Sequence, residues 1–139
     1  MADRLSPDKR SWNMGQIHGK DTSIEMKVRQ YLFAQGFRFR KNDRRYPGTP
    51  DIVLPKYRTV IFVHGCFWHR HEGCKLAYTP KTRTEFWQTK FNKNVENDFK
   101  NKKLLIEQGW NVITVWECEI KKDFDQVMAR VVSEILRKQ

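Results

Sequence analysis

The sequence predicts an α/β protein, with a mixed central sheet of about four strands flanked by helices. Three observations carry this reading. TVIFVH (59–64) is a near-continuous apolar run, the mark of a strand covered on both faces. NVITVWE (111–117) is a second such run. Between and after them lie long stretches with helical apolar spacing.

The elements follow in order. Ser6-Pro7 reads as N-cap and first position of a short basic helix running to about Ile17. A second helix is expected from Thr22, where TSIE has capping-box spacing. Ile24, Val28, Tyr31 and Leu32 form its apolar stripe, and Gly36 stops it. FRFRK (37–41) alternates as a half-buried strand, YPGTP turns the chain, and DIVL (51–54) is the next strand. After the 59–64 strand, a long helix is predicted from about Thr84 to Gln108, with Trp87, Phe91, Val95, Phe99 and Leu105 or Ile106 on one side and Gly109 at its end. Phe124, Val127, Met128, Val131, Ile135 and Leu136 mark a closing helix after the 111–117 strand. After the first helix the order is α-β-β-β-α-β-α.

Composition narrows the function. A chain of 139 residues fits one domain, 1–139, with no repeat or linker to divide it. Nine Phe and five Trp within a 39% hydrophobic content exclude a disordered chain. No run of about 18 apolar residues could span a membrane. MADRLSPDKRSW lacks the apolar segment of a secretory signal. Three cysteines, an odd number, argue against a disulfide framework and for a reducing compartment. Twenty-seven Lys+Arg against sixteen Asp+Glu give a net charge of +11, which favours a polyanionic partner such as nucleic acid over a merely soluble basic protein.

The chemistry concentrates in HGCFWHRHEGC (64–74). Cys66, Cys74 and Cys118 with one histidine form a tetrahedral zinc set, against the plainer reading of small buried thiols. Spacing alone leaves His69 and His71 both open as the fourth ligand. Asp51 opens a strand after a turn, one strand before His64. That position suits a Mg²⁺ carboxylate as well as ordinary turn chemistry. Phe67 and Trp68 sit in a loop where burial is hard to arrange. They read as aromatics able to wedge between base pairs, or else as a cover for the zinc site.

PGTPDIVLPKYRTVIFVHGCFWHRHEGC, then TPKTRTEFWQTKFNKNVENDFKNKKLLIEQGWNVITVWECE, resembles the very short patch repair (Vsr-type) DNA mismatch endonucleases. The likeness extends back through SWNMGQIHGKDTSIEMKVRQYL and so covers nearly the whole chain. It implies a zinc-containing variant of the type II restriction-endonuclease fold. It also implies Mg²⁺-dependent nicking of one strand, 5′ to the T of a T:G mismatch. By the same resemblance Asp51 and the Val63 carbonyl are the Mg²⁺ ligands, Val63 standing where the family often has Thr. His64 and His69 are active-site histidines, with His69 the general base supported by Asp98. Glu25 is a further active-site acid, although its place three after Thr22 also fits a capping box. The zinc set becomes Cys66, His71, Cys74 and Cys118, on a loop one residue longer than is usual in the family.

The resemblance further implies that Phe67, Trp68 and Trp87 enter the duplex. Lys90 and Asn94, an i,i+4 pair, would read the T:G pair. Met14 and Ile17 in an N-terminal DNA-contacting helix (1–20) would enter the minor groove. The substrate is then double-stranded DNA with a T:G mismatch, and mismatch-repair proteins are the expected company of a cytoplasmic, bacterial, monomeric enzyme. Rival readings are a nuclease of the same fold with restriction-type or structure-specific selectivity, and a non-enzymatic zinc-dependent DNA-binding module.

Overall fold

The structure is a computed structural model that describes residues 23–137. The predicted helix at 6–17, the Thr22 cap, and Met14 and Ile17 lie outside the described residues. Helix α1 (Ser23–Ala34) leads into β1 (Arg40–Lys41), β2 (Ile52–Leu54) and β3 (Thr59–His64). A helical turn α2 (Cys66–His69) and the long α3 (Thr84–Glu107) carry the chain to β4 (Asn111–Trp116). Two helices, α4 (Glu117–Lys122) and α5 (Phe124–Arg137), close it. The sheet order is β1-β2-β3-β4, antiparallel at the first two junctions and parallel between β3 and β4. The architecture is therefore mixed α/β, as the sequence predicts.

Both faces of the sheet are covered, which explains why β3 is apolar from Val60 to Val63. Ile52, Leu54, Ile61, Val63, Ile113 and Val115 point to one face, into a core closed by Val28 and Leu32 of α1 and by Met128, Val131 and Ile135 of α5. Val53, Val60, Phe62 and Val112 point to the other, where Leu105 of α3 packs. Helices α1 and α3 end in the same way. Phe37 N–H reaches the Leu32 carbonyl and Gly36 N–H the Phe33 carbonyl, a pattern repeated by Trp110 to Leu105 and Gly109 to Ile106. Both glycines are left-handed, which is why those two positions stop the helices.

Three expectations change. The 37–41 strand shortens to Arg40–Lys41, because Phe37 completes the helix cap and packs against Tyr57 with ring centroids 5.4 Å apart. Residue Glu117 opens α4 rather than extending β4, so Cys118 is presented by a helix's first turn. The predicted apolar side of α3 is not one buried stripe. Phe91 and Leu105 are buried, but Val95 is 45% and Phe99 72% exposed. The N-terminal half of α3 leans on α2 through Phe91 and its C-terminal half on the sheet through Leu105. Val95 and Phe99 line a cavity of about 430 Å³ in the span between.

Candidate functional site

The YPGTP turn delivers Asp51 to the start of β2. Gly48 has φ +78°, and a Cβ there would stand 3.1 Å from Asn101 and Phe62, so a larger residue would be strained in the backbone and crowd both side chains. Asp51 Oδ2 accepts the Val63 amide at 2.6 Å, which joins the start of β2 to the end of β3. Glu25 of α1 reaches the same place. Its side chain is 5% exposed, lies against Asp51, and stands 3.8 Å from Arg29 one turn later. Burial, and then the negative charge of Glu25, push the Asp51 carboxyl up to about 8; the Val63 amide and Arg29 pull the other way. Two carboxyl groups held together out of water are a ready seat for a divalent cation.

One strand end away, His64 is buried at the end of β3, and its ring stacks on that of His69, 3.8 Å apart and 6° from parallel. His69 ends the α2 turn, and its Nδ1 meets Asp98 Oδ2 of α3 at 2.6 Å. A strand and two helices therefore bring His64, His69 and Asp98 together within 4.8 Å.

The second cluster shares the α2 turn with the first. Cys66, His71, Cys74 and Cys118 hold their donor atoms within 4.8 Å of one another. His71 Nδ1 is 3.6 Å from Cys66 Sγ and 3.3 Å from Cys118 Sγ. Such separations fit the edges of a tetrahedron of Zn–S bonds near 2.3 Å and Zn–N bonds near 2.0 Å. His69, already bonded to Asp98, is not in this set, so the geometry separates the two histidines that spacing left open. Burial pushes the Cys66 thiol up to about 12 and also raises Cys118, whereas backbone amides, Leu76 first, lower Cys74. A divalent cation would supply the charge that lets all three become thiolates. Trp116 stacks on His71 at 4.2 Å and 11°, fixing the imidazole plane.

The aromatics form a cluster where α2 meets α3. Phe67 meets Trp68, Tyr78, Trp87 and Phe91 at centroid distances of 5.0–5.7 Å. Trp68, also half-buried, meets Phe67 and Trp87. Lys90 is exposed, with its ammonium 5.8 Å from the Phe86 ring. Asn94 does not face outward with it. Its Nδ2 donates to the Trp68 carbonyl at 3.1 Å.

Arg70, Trp116 and Arg29 are the residues that sequence reasoning missed. Arg70 follows no periodicity and matches no metal-ligand type. Trp116 is part of the WEC motif, but only the fold puts its ring beside His71. For Arg29, the i,i+4 spacing to Glu25 was available as a signal.

A carboxylate pair and a His–Asp pair at neighbouring strand ends, backed by a Cys3His cluster in a strongly basic chain, are the equipment of a nuclease. Comparison with known proteins agrees. Residues 2–76 match the family profile of DNA mismatch endonuclease Vsr. A type II nicking enzyme of Neisseria meningitidis serogroup A is 54% identical over 121 residues, covering 87% of this chain and 86% of that one. The DNA mismatch endonuclease Vsr of Escherichia coli is 49% identical over 121 residues, 87% of this chain and 77% of its own. A type II nicking enzyme of Xanthomonas oryzae is 44% identical over 131 residues, 94% and 95% of the two chains. The chain belongs to the Vsr family of DNA mismatch endonucleases and is itself a DNA endonuclease. Among the described residues no helix is long and apolar enough to cross a membrane.

Proposed function

We propose that this endonuclease nicks one strand of duplex DNA, 5′ to the T of a T:G mismatch, in very short patch mismatch repair. The observation that carries the reading is that the Asp51–Glu25 pair is bonded to the Val63 amide, one residue before His64 of the His64–His69–Asp98 group. The names of the Neisseria and Xanthomonas relatives support single-strand incision, and that of the Escherichia coli relative supports mismatch as the lesion.

Asp51 and the Val63 carbonyl are the proposed Mg²⁺ ligands. When bound, Mg²⁺ supplies positive charge against the phosphate at the scission point. Glu25 helps to seat the cation, and its charge beside Asp51 raises the local demand for one. In His69, Nδ1–H donates to Asp98, which leaves Nε2 as the acceptor for a proton from the attacking water. His64, stacked on His69, keeps that ring from swinging and faces the phosphate. The scaffold is read as a single domain of the type II restriction-endonuclease kind, with Cys66, His71, Cys74 and Cys118 holding a structural Zn²⁺.

Phe67, Trp68 and Trp87 stand on one side of α2 and α3 as the wedge. A mismatched pair is the cheapest to unstack, so wedging favours the lesion. Lys90 donates to guanine acceptors, while Met14 and Ile17 meet the minor groove. Asn94 contributes by fixing the Trp68 backbone as well as by any contact with the base pair. The enzyme is proposed to act as a bacterial cytoplasmic monomer alongside mismatch-repair proteins.

The test replaces Asp51 with Ala and assays a T:G duplex with Mg²⁺. The reading expects retained DNA binding and lost incision. Continued nicking by Asp51→Ala would remove Asp51, and with it the metal seat, from the account.

A further inference from the structure

A helix of four residues cannot satisfy its own carbonyls, so α2 depends on partners from elsewhere. The Cys66 carbonyl accepts the amides of Arg70 and His71. The Trp68 carbonyl accepts the Asn94 amide at 3.1 Å, and the Phe67 carbonyl accepts Arg70 Nη1 at 3.1 Å. Arg70 then reaches further. Its Nη1 also donates to the Tyr78 carbonyl at 3.0 Å, and its Nη2 donates to the Ala77 carbonyl at 2.6 Å and to Thr79 Oγ1 at 3.2 Å. The guanidinium carbon lies 3.9 Å from the centroid of Phe91 on α3. One side chain therefore joins α2, the 77–79 segment and α3, and Tyr78, held by it, packs on Phe67 at 5.0 Å.

The backbone at this position argues for a different residue. Arg70 has φ +54°, a left-handed conformation that Gly or Asn adopts more readily. Local conformation would select Gly; what selects Arg is the fork. Its four acceptors belong to four residues and are shared between two guanidinium nitrogens, which a single lysine nitrogen could not reproduce.

The geometry points to Arg70 as the positioning residue of the aromatic wedge: it straps the 77–79 segment over α2, so that Phe67 and Trp68 meet the duplex from a fixed direction. The inference rests on the proposal that these aromatics enter DNA. The acceptors of its fork are three carbonyls and a hydroxyl, none of them a donor atom of the Cys/His cluster, so Arg70 acts through its neighbours. Because His69 is the preceding residue, slack in the strap also loosens the base against its target.

The test uses the full-length, zinc-loaded protein and a duplex carrying 2-aminopurine beside the T:G pair, whose fluorescence rises when the base is unstacked. Arg70→Gly removes the fork and suits the backbone; Arg70→Lys keeps the charge; Trp68→Ala removes a wedge ring. The wild type is expected to raise the fluorescence on binding and Trp68→Ala to lose most of the rise. Both Arg70 variants, with zinc content unchanged, should show a clearly smaller rise, with kcat down roughly tenfold or more and affinity for matched duplex changed little. A full rise with wild-type kcat in Arg70→Gly overturns the inference and leaves the wedge standing. Absence of a rise in the wild type overturns the wedge itself, and the role of Arg70 with it. Should Arg70→Gly fail to fold, the same readings on Arg70→Lys decide the matter.

Discussion

Replacing Asp51 with Asn should stabilise the Mg²⁺-free protein while abolishing incision. The asparagine carbonyl can still accept the Val63 amide, now taken by Oδ2 at 2.6 Å, and its NH2 can donate to Glu25. What disappears is a charge that the fold disfavours. In the denatured chain Asp51 titrates near 3.8, and in the folded protein burial and Glu25 raise it to about 8. Between those values the folded state binds the proton more tightly than the denatured state does. Native stability is therefore lost as pH rises from about 4, and the loss levels off above about 8. At about 1.36 kcal/mol per unit, the interval gives a ceiling of roughly 5–6 kcal/mol at alkaline pH and roughly 3 kcal/mol at pH 6. The proton is shared with Glu25, whose own charge remains in the variant, so about half of that is the expected gain. Guanidinium denaturation of both proteins at pH 6, 7.5 and 9, with zinc retained and Mg²⁺ absent, reads it directly. The variant should be the more stable at each pH, by a margin that widens from pH 6 to pH 8.5. Saturating Mg²⁺ should close the gap by stabilising only the wild type. Equal or lower stability of the variant at pH 9, or a difference independent of pH, would refute the reasoning.

Other consequences are simpler. His71→Ala and Cys118→Ser should each lose bound zinc and melt earlier, whereas His69→Ala should keep one zinc per chain by metal analysis, in line with the partition of the two histidines. Asp98→Asn breaks the charge-assisted partner of His69 and should lower kcat on the order of 10²-fold with KM nearly unchanged in steady-state nicking assays. On α3, Phe91→Ala should cost about 3–5 kcal/mol, while Phe99→Ala, on the exposed stretch, should change stability by less than about 0.5 kcal/mol in the same denaturation experiment.

The sheet was legible because β2 and β3 are buried on both faces, and β4 is buried on one and half-buried on the other, so that they read as apolar runs; β1, two exposed residues, carries no such pattern, and its extent was overestimated. Gly36 and Gly109 announced their helix ends because both positions need a left-handed residue. The Cys/His cluster could be named since only a few side chains bind such metals; which histidine joins it depends on a bond from α3, 29 residues away, that no spacing encodes. Glu25 looked like half of a capping box, and only the packing of α1 against the start of β2 puts its carboxyl beside Asp51. The apolar stripe of α3 misled because periodicity records which side is apolar and not how far the partner surface extends. Arg70 was invisible for a related reason. Its role lies in carbonyls of segments that fold toward it, and carbonyls leave no trace in a sequence.

The most direct measurement of the central claim is Mg²⁺-dependent incision of end-labelled duplexes that differ only in one base pair, with the cut strand and position mapped. Duplexes carrying T:G, the other mismatches, matched pairs and a branch point form the set. The account predicts a single nick, 5′ to the mismatched T, in the T:G duplex alone, absent with EDTA and in Asp51→Ala. Cleavage of both strands, equal cutting of matched or branched duplexes, or incision that persists without a divalent cation would contradict it.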